Sequence, residues 1–156
     1  MENPIRLLVV VALTVALSAC ASAPPTTPEA RPPGTGRLEV TATGFKSEEG
    51  MARIALFLDA RSWPDEEEFV FATEVVAISD GQVVIEFEDV PAGPFAVSVF
   101  HDKDEDGKLD SDILGIPSED YGFSADARDM FGPPSFEEAR LDLAPGESKQ
   151  ITVQVR

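Results

Sequence analysis

Asp102, Asp104, Asp106, Asp110 and Asp112 stand at alternate positions of the stretch His101-Asp-Lys-Asp-Glu-Asp-Gly-Lys-Leu-Asp-Ser-Asp112. Carboxylates at this density repel one another unless a cation lies between them, and side chains that offer only oxygen suit a hard ion. Counting from Asp102, glycine falls at the sixth position, where a tight loop folds back to surround calcium with carboxylates and a carbonyl. The spacing predicts a calcium loop. Asp102, Asp104, Asp106, the Lys108 carbonyl and Asp110 take its first, third, fifth, seventh and ninth positions. The twelfth position is Ile113, so the usual bidentate glutamate is missing, and Asp112 or Glu119 is expected to replace it from downstream. The preceding Phe95-Ala-Val-Ser-Val-Phe100 reads as a strand of β-branched and aromatic residues, which excludes a helix-flanked pair of such loops. The alternative is a solvated acidic turn that binds nothing.

The chain of 156 residues, 43% of them hydrophobic, is long enough for one domain with some length to spare. Its formal net charge of -17 argues against nucleic acid as a partner, because phosphate-backbone binding depends on clustered Lys and Arg. Such acidity suits a self-repelling surface and surroundings rich in divalent cations.

Arg6 precedes an apolar run from Leu7 to Leu17, too short to span a bilayer as a helix and of the length of a signal-peptide core. The run ends in Leu17-Ser18-Ala19-Cys20, which is similar to a bacterial lipobox. The similarity implies a lipoprotein signal peptide over residues 1–19, cleavage before Cys20 and lipidation of its thiol. The alternative is an ordinary secreted chain cut near Ala19 with a free thiol. Cys20 is the single cysteine, so no disulfide can form within the chain. Residues 20–36 are rich in Ala, Ser, Thr, Pro and Gly and read as a tether, which in polyproline conformation would reach about 50 Å. By resemblance to other lipoproteins, Ala21 after the cysteine implies sorting to the outer membrane of a bacterial cell envelope.

The folded part is expected over residues 37–156. Leu38, Val40 and Ala42 alternate with Glu39, Thr41 and Thr43, a period of two that marks a strand with one face for a core. Arg53 to Asp59 is apolar on both faces and reads as a central strand. The stretch from Ser62 to Glu68 suits a turn or two of helix, with Trp63 plugging the edge of the core. Thr73 to Ser79 and Gln82 to Glu88 flank Asp80-Gly81, both of which tolerate positive φ, and are expected to pair as a hairpin. Arg140 to Leu143 and Gln150 to Val155, around Ala144-Pro-Gly-Glu147, are expected to form a second. With the strand before the acidic loop this makes seven. The expected fold is all-β, an antiparallel seven-stranded β-sandwich of immunoglobulin-like or prealbumin-like type with a long Asp-rich loop.

From Asp102 to Ser135 the periodicity fades. Connections of this length are uncommon unless functional or disordered, and the aromatic and glycine content here points to a segment folded against one end of the two layers, with a turn of helix from Ser124 to Met130.

Five pieces carry a resemblance: Phe87-Glu-Asp-Val-Pro-Ala-Gly93, Val99 to Asp110, Gly115-Ile-Pro-Ser-Glu119, Tyr121-Gly-Phe-Ser124 and Pro134-Ser-Phe-Glu-Glu-Ala139. In order and spacing they resemble the bacterial secreted family catalogued as domain of unknown function 2141, over roughly Arg37 to Arg156. The resemblance implies an exported β-sandwich and no particular reaction. A looser likeness joins the Asp-rich loop to calcium-bearing transthyretin-like and Cna B-type surface modules.

Enzyme chemistry has thin support. His101 is the only histidine, no elbow motif surrounds a serine, and zinc would want more than one His or Cys. Alternation puts His101 on one face with Val97 and Val99, as a half-buried imidazole bonding the loop backbone. His101, Tyr121, Phe123 and Phe131 are nonetheless the candidate contacts for a glycan or protein ligand. The expected function is a lipid-anchored, calcium-stabilised binding or interaction module, with a structural envelope component and a hydrolase using His101 as alternatives. A chain expressed with its signal should partition into detergent, and Cys20→Ser should abolish this. An unmodified mature N-terminus in mass spectrometry would sink the anchor.

Overall fold

The computed structural model describes residues 34–61, 63–64, 69–129 and 132–156. The expected signal peptide, Cys20, most of the tether, the acidic turn 65–68, and Met130 and Phe131 lie outside the described residues. Eight strands are described: β1 (Thr35–Thr43), β2 (Met51–Phe57), β3 (Ala72–Ala77), β4 (Gln82–Pro91), β5 (Gly93–Asp102), β6 (Tyr121–Phe123), β7 (Leu141–Leu143) and β8 (Ser148–Gln154). A 3-10 turn covers Ser124–Asp126, and a one-turn helix, α1, covers Phe136–Ala139. The expected count was seven, and the additional strand is β6.

The strands form two sheets. One has the order β4-β1-β8, and the other β3-β2-β5-β6, with β7 also paired to β5. β6 and β7 share one edge of β5, β7 along Gly93–Phe95 and β6 along Ser98–Phe100. Alternation decides what faces inward: Leu38, Val40 and Ala42 of β1 meet Ile54 and Leu56 of β2 and Val97 and Val99 of β5 in one apolar cluster fed by both sheets. This is a β-sandwich-like, mostly-β architecture. β2 lies between β3 and β5, the central place its two apolar faces predicted.

Neither expected hairpin forms. Asp80 and Gly81 do adopt positive φ, 54° and 69°, and Ser79 and Gln82 exchange backbone bonds of 3.1 Å across them. Beyond that turn, however, β3 pairs with β2 and β4 with β1. The residues flanking the turn explain this, since Ile78 and Val83 are both buried in the shared core. A strand on each side of that core keeps both covered, so the turn is a corner between sheets. The turn at Ala144–Glu147 is a second corner: β7 joins β5 while β8 joins β1 in parallel, which also departs from the all-antiparallel expectation.

The outer face of the larger sheet carries a second apolar cluster of Phe57, Ala96, Phe123, Phe136 and Ala139, with Trp63 and Tyr121 packed against it. The Trp63 ring meets Phe57 and Phe123 at 5.3 Å and Phe136 at 6.1 Å, and its Nε1 donates to the Pro134 carbonyl at 2.7 Å. Trp63 is thus packing, as expected, but in this second cluster and not at the edge of the core between the sheets. Ser135 opens α1 with a capping box to Glu138, which aims Phe136 and Ala139 inward. The buried Ser124 hydroxyl accepts from the Val97 amide at 2.9 Å and donates to the Ala139 carbonyl at 2.6 Å, joining β5 to α1. Helix does not continue to Met130, because Ala127 is already extended. Ser124→Ala leaves two buried backbone groups without partners and should cost about 2–4 kcal/mol, read as a lowered urea midpoint.

Candidate metal centre

β5 is antiparallel to β2, so Asp102 emerges beside Met51, at the end of the molecule where β1 finishes and β2 begins. The β1–β2 connection is pressed against the start of the acidic loop there. Gly50 sits at φ 71°, and a Cβ on it would collide with the carbonyl of Asp102 and the backbone of Lys103. Gly107 takes φ 86° and turns the chain back so that its amide, and that of Asp106, reach the Asp102 carboxylate at 3.0 and 3.1 Å.

Asp102 is fully buried, and its Oδ2 pairs with Arg53 Nε from the neighbouring strand. Asp104 Oδ1 accepts from the Asp106 amide at 3.3 Å, and Asp106 Oδ1 from the Lys108 amide at 2.8 Å. Asp102, Asp104 and Asp106 each present an oxygen within 4.8 Å of the others. Ligands bound to one calcium at about 2.4 Å span at most about 4.8 Å, so the three oxygens fit a single shell.

Glu119 clamps the loop at both ends. Its Oε1 accepts from the Lys103 amide at 2.7 Å and its Oε2 from the Asp110 amide at 3.1 Å. Asp112 is spent elsewhere, its Oδ1 taking the amides of Leu114 and Ile116 at 2.8 and 3.0 Å. Of the two candidates for the missing bidentate ligand, Glu119 is the one tied to the loop. Burial raises the Asp102 carboxyl, but the Arg53 hydrogen bond, the Gly107 and Asp106 amides and the Arg53 charge outweigh it and leave its pKa lowered. Asp110 is raised, first by the charge of Asp104, then by burial, Asp106, Glu119 and Asp102.

His101 departs from its expected half-buried place: it is fully buried, its ring edge-on to Phe45 at 5.4 Å. Its Nε2 donates to the Glu49 carbonyl at 2.7 Å, in the β1–β2 connection and not in the acidic loop. Among the described residues Nδ1 has no hydrogen-bond partner, nor does Oδ2 of the buried Asp120, whose other oxygen pairs with Lys46. Phe123 is buried and Tyr121 half-buried in the second cluster. A shallow depression of about 110 Å³ lies beside them, bounded also by Arg128, Asp129 and Arg156.

Arg53 was missed from sequence. Its signal was a lone charge inside an otherwise apolar central strand, Met51-Ala-Arg-Ile-Ala-Leu-Phe57, which had to find a buried partner.

The family described as "Uncharacterized protein conserved in bacteria (DUF2141)" matches residues 40–152. No curated protein and no solved structure matches the chain.

Asp110 binds its proton more tightly folded than unfolded, so its ionisation removes stability as pH rises from the unfolded carboxylate value through the raised folded one. Asp102 has the opposite sign. Its stability is present above the unfolded value and is lost as pH falls through the lowered folded one. In chelator at neutral pH, Asp110→Asn should therefore raise the calorimetric melting temperature and Asp102→Asn lower it. A drop for both would contradict the crowding of charge at Asp110.

Proposed function

The chain belongs to the DUF2141 family, and we propose that it is a calcium-stabilised, lipid-anchored module of the bacterial envelope with a binding or interaction role. The convergence of Asp102, Asp104 and Asp106 carries this reading, because three oxygens in one small volume at the mouth of a rigid strand are a partial shell for a hard cation. Asp110, the Lys108 carbonyl and Glu119 complete the proposed shell, with Glu119 in the place of the missing glutamate. The two-sheet arrangement supports a sandwich of immunoglobulin-like or prealbumin-like type.

Lipidation at Cys20 and placement in the outer membrane rest on the sequence of the leader and on Ala21. The burial of His101 and the bond from its Nε2 to a backbone carbonyl favour a binding module over a hydrolase. Packing of Phe123 and Tyr121 into the second cluster takes two of the candidate rings away from a glycan and so favours a protein ligand.

A cation held only by the folded state stabilises it by RT ln(1 + [L]/Kd), about 2.7 kcal/mol at a hundredfold excess. Without a twelfth-position glutamate, Kd should fall at the weak end, about 0.1 to 1 mM. Titrating calcium to about 10 mM into chelator-treated protein should raise the melting temperature by about 10 °C. Magnesium should do less, its small octahedral shell fitting so many carboxylates poorly. Asp106→Ala should remove most of the shift, while His101→Ala should lower the baseline and leave the shift. If calcium moves neither the melting curve nor the calorimetric heat, the loop is a solvated turn.

A further inference from the structure

Directly beyond the acidic loop the chain makes a tight turn with an aliphatic tip. Ile113 is fully exposed, Leu114 79% and Ile116 59% exposed, with Leu109 at the base. Scattered apolar side chains are ordinary on a protein surface, but three on one four-residue turn are concentrated. No charged side chain interrupts Ile113-Leu-Gly-Ile-Pro117.

Most amides of this turn are satisfied from within. The Asp112 amide donates to the Ile116 carbonyl at 2.8 Å, Gly115 to the Asp112 carbonyl at 3.0 Å, and Ser118 to the Asp110 carbonyl at 2.8 Å. Asp112 Oδ1 takes the amides of Leu114 and Ile116. Pro117 has no amide hydrogen to satisfy. The Ile113 amide and the carbonyls of Ile113, Leu114 and Gly115 have no such partner among the described residues, so a lipid-facing turn holds them at the headgroup level, where water reaches them.

We propose that the turn from Ile113 to Pro117 is a tip that inserts its aliphatic side chains at a lipid interface. The occupant is lipid and not a protein groove, because the tip offers aliphatic side chains and no aromatic or charged group through which a partner would be read. Asp104, Asp106 and Asp110, just before it in the chain, oppose approach to anionic headgroups, and calcium held in the loop would neutralise them. That dependence rests on the calcium reading above.

The entry point of the chain permits the arrangement. Gly34 lies at the opposite end of the molecule, its carbonyl accepting from Ala92 at the β4–β5 turn. The ten residues of β5 separate the two ends by about 33 Å. Extended chain from Cys20 to Gly34 reaches about 40 Å, enough to run alongside the domain to the same membrane.

The test uses the full-length lipoprotein reconstituted in vesicles of phosphatidylcholine and phosphatidylglycerol containing nitroxide-labelled acyl chains. A tryptophan is introduced as Leu114→Trp at the tip or as Gln150→Trp on the outer face of β8, and emission is read against the native chain with its single Trp63. In millimolar calcium the Leu114→Trp signal should lose intensity and shift to the blue, while the Gln150→Trp signal should not. Quenching of Leu114→Trp that persists in chelator upholds insertion and removes its dependence on calcium. If Leu114→Trp is quenched no more than Gln150→Trp while calcium still raises the melting temperature, the bilayer tip is overturned and the calcium reading stands. If the melting shift is absent as well, both fall.

Discussion

β5 is the strand on which everything else depends, because it is buried on both faces and paired along both edges. Its inward side chains, Phe95, Val97, Val99 and His101, lie in or beside the core between the sheets, and Ala96 on the other face sits in the second cluster. A strand buried on both faces needs a cover on each. The smaller sheet supplies one, while Trp63, the 3-10 turn and α1 supply the other. That second cover is why a long connection without periodicity is ordered: Phe123 and Phe136 hold it down at two points, with Ser124 bonded between them. Asp102, the last residue of this strand, inherits its rigidity, so the acidic loop starts from a fixed carboxylate.

The charges around Asp102 form a graded set. Arg53 contributes one positive charge at the buried end, where the carboxylate is deepest and solvent least able to screen. Toward the surface Asp104, Asp106 and Asp110 accumulate, among the described residues, without a cationic side chain of their own in hydrogen-bond contact, and the charge of Asp104, ahead of burial and the other carboxylates, raises Asp110. Lys46 sits on Asp120, outside this set.

What could be read from the sequence was local, and what could not was pairing. Alternation in Leu38, Val40 and Ala42 marks strand and inward face together, and Asp80-Gly81 marks its turn correctly, since φ preference is a property of those two residues. Which strand lies beside β3 is decided by Ile78 and Val83 competing for the same core, and no window of sequence contains that competition. β6 escaped because three residues are too few for a period to show, and its identity as a strand comes from β5. At the site, the spacing of Asp102, Asp104 and Asp106 was legible because one loop brings them together. Asp112 looked equivalent on spacing alone, yet the next turn claims it. Glu119 reaches the loop across a separate segment, and Arg53 across a strand ladder.

β1 lies in the middle of its sheet with β8 beside it, so the first strand of the domain is completed by the last. Glu39 and Gln150, bonded across that seam, are 111 residues apart in the chain. The sheet therefore has a high contact order, and its closure waits for the final strand whatever local structure has already formed. During synthesis β1 can find β4 early, but its other edge stays open until β8 has been made.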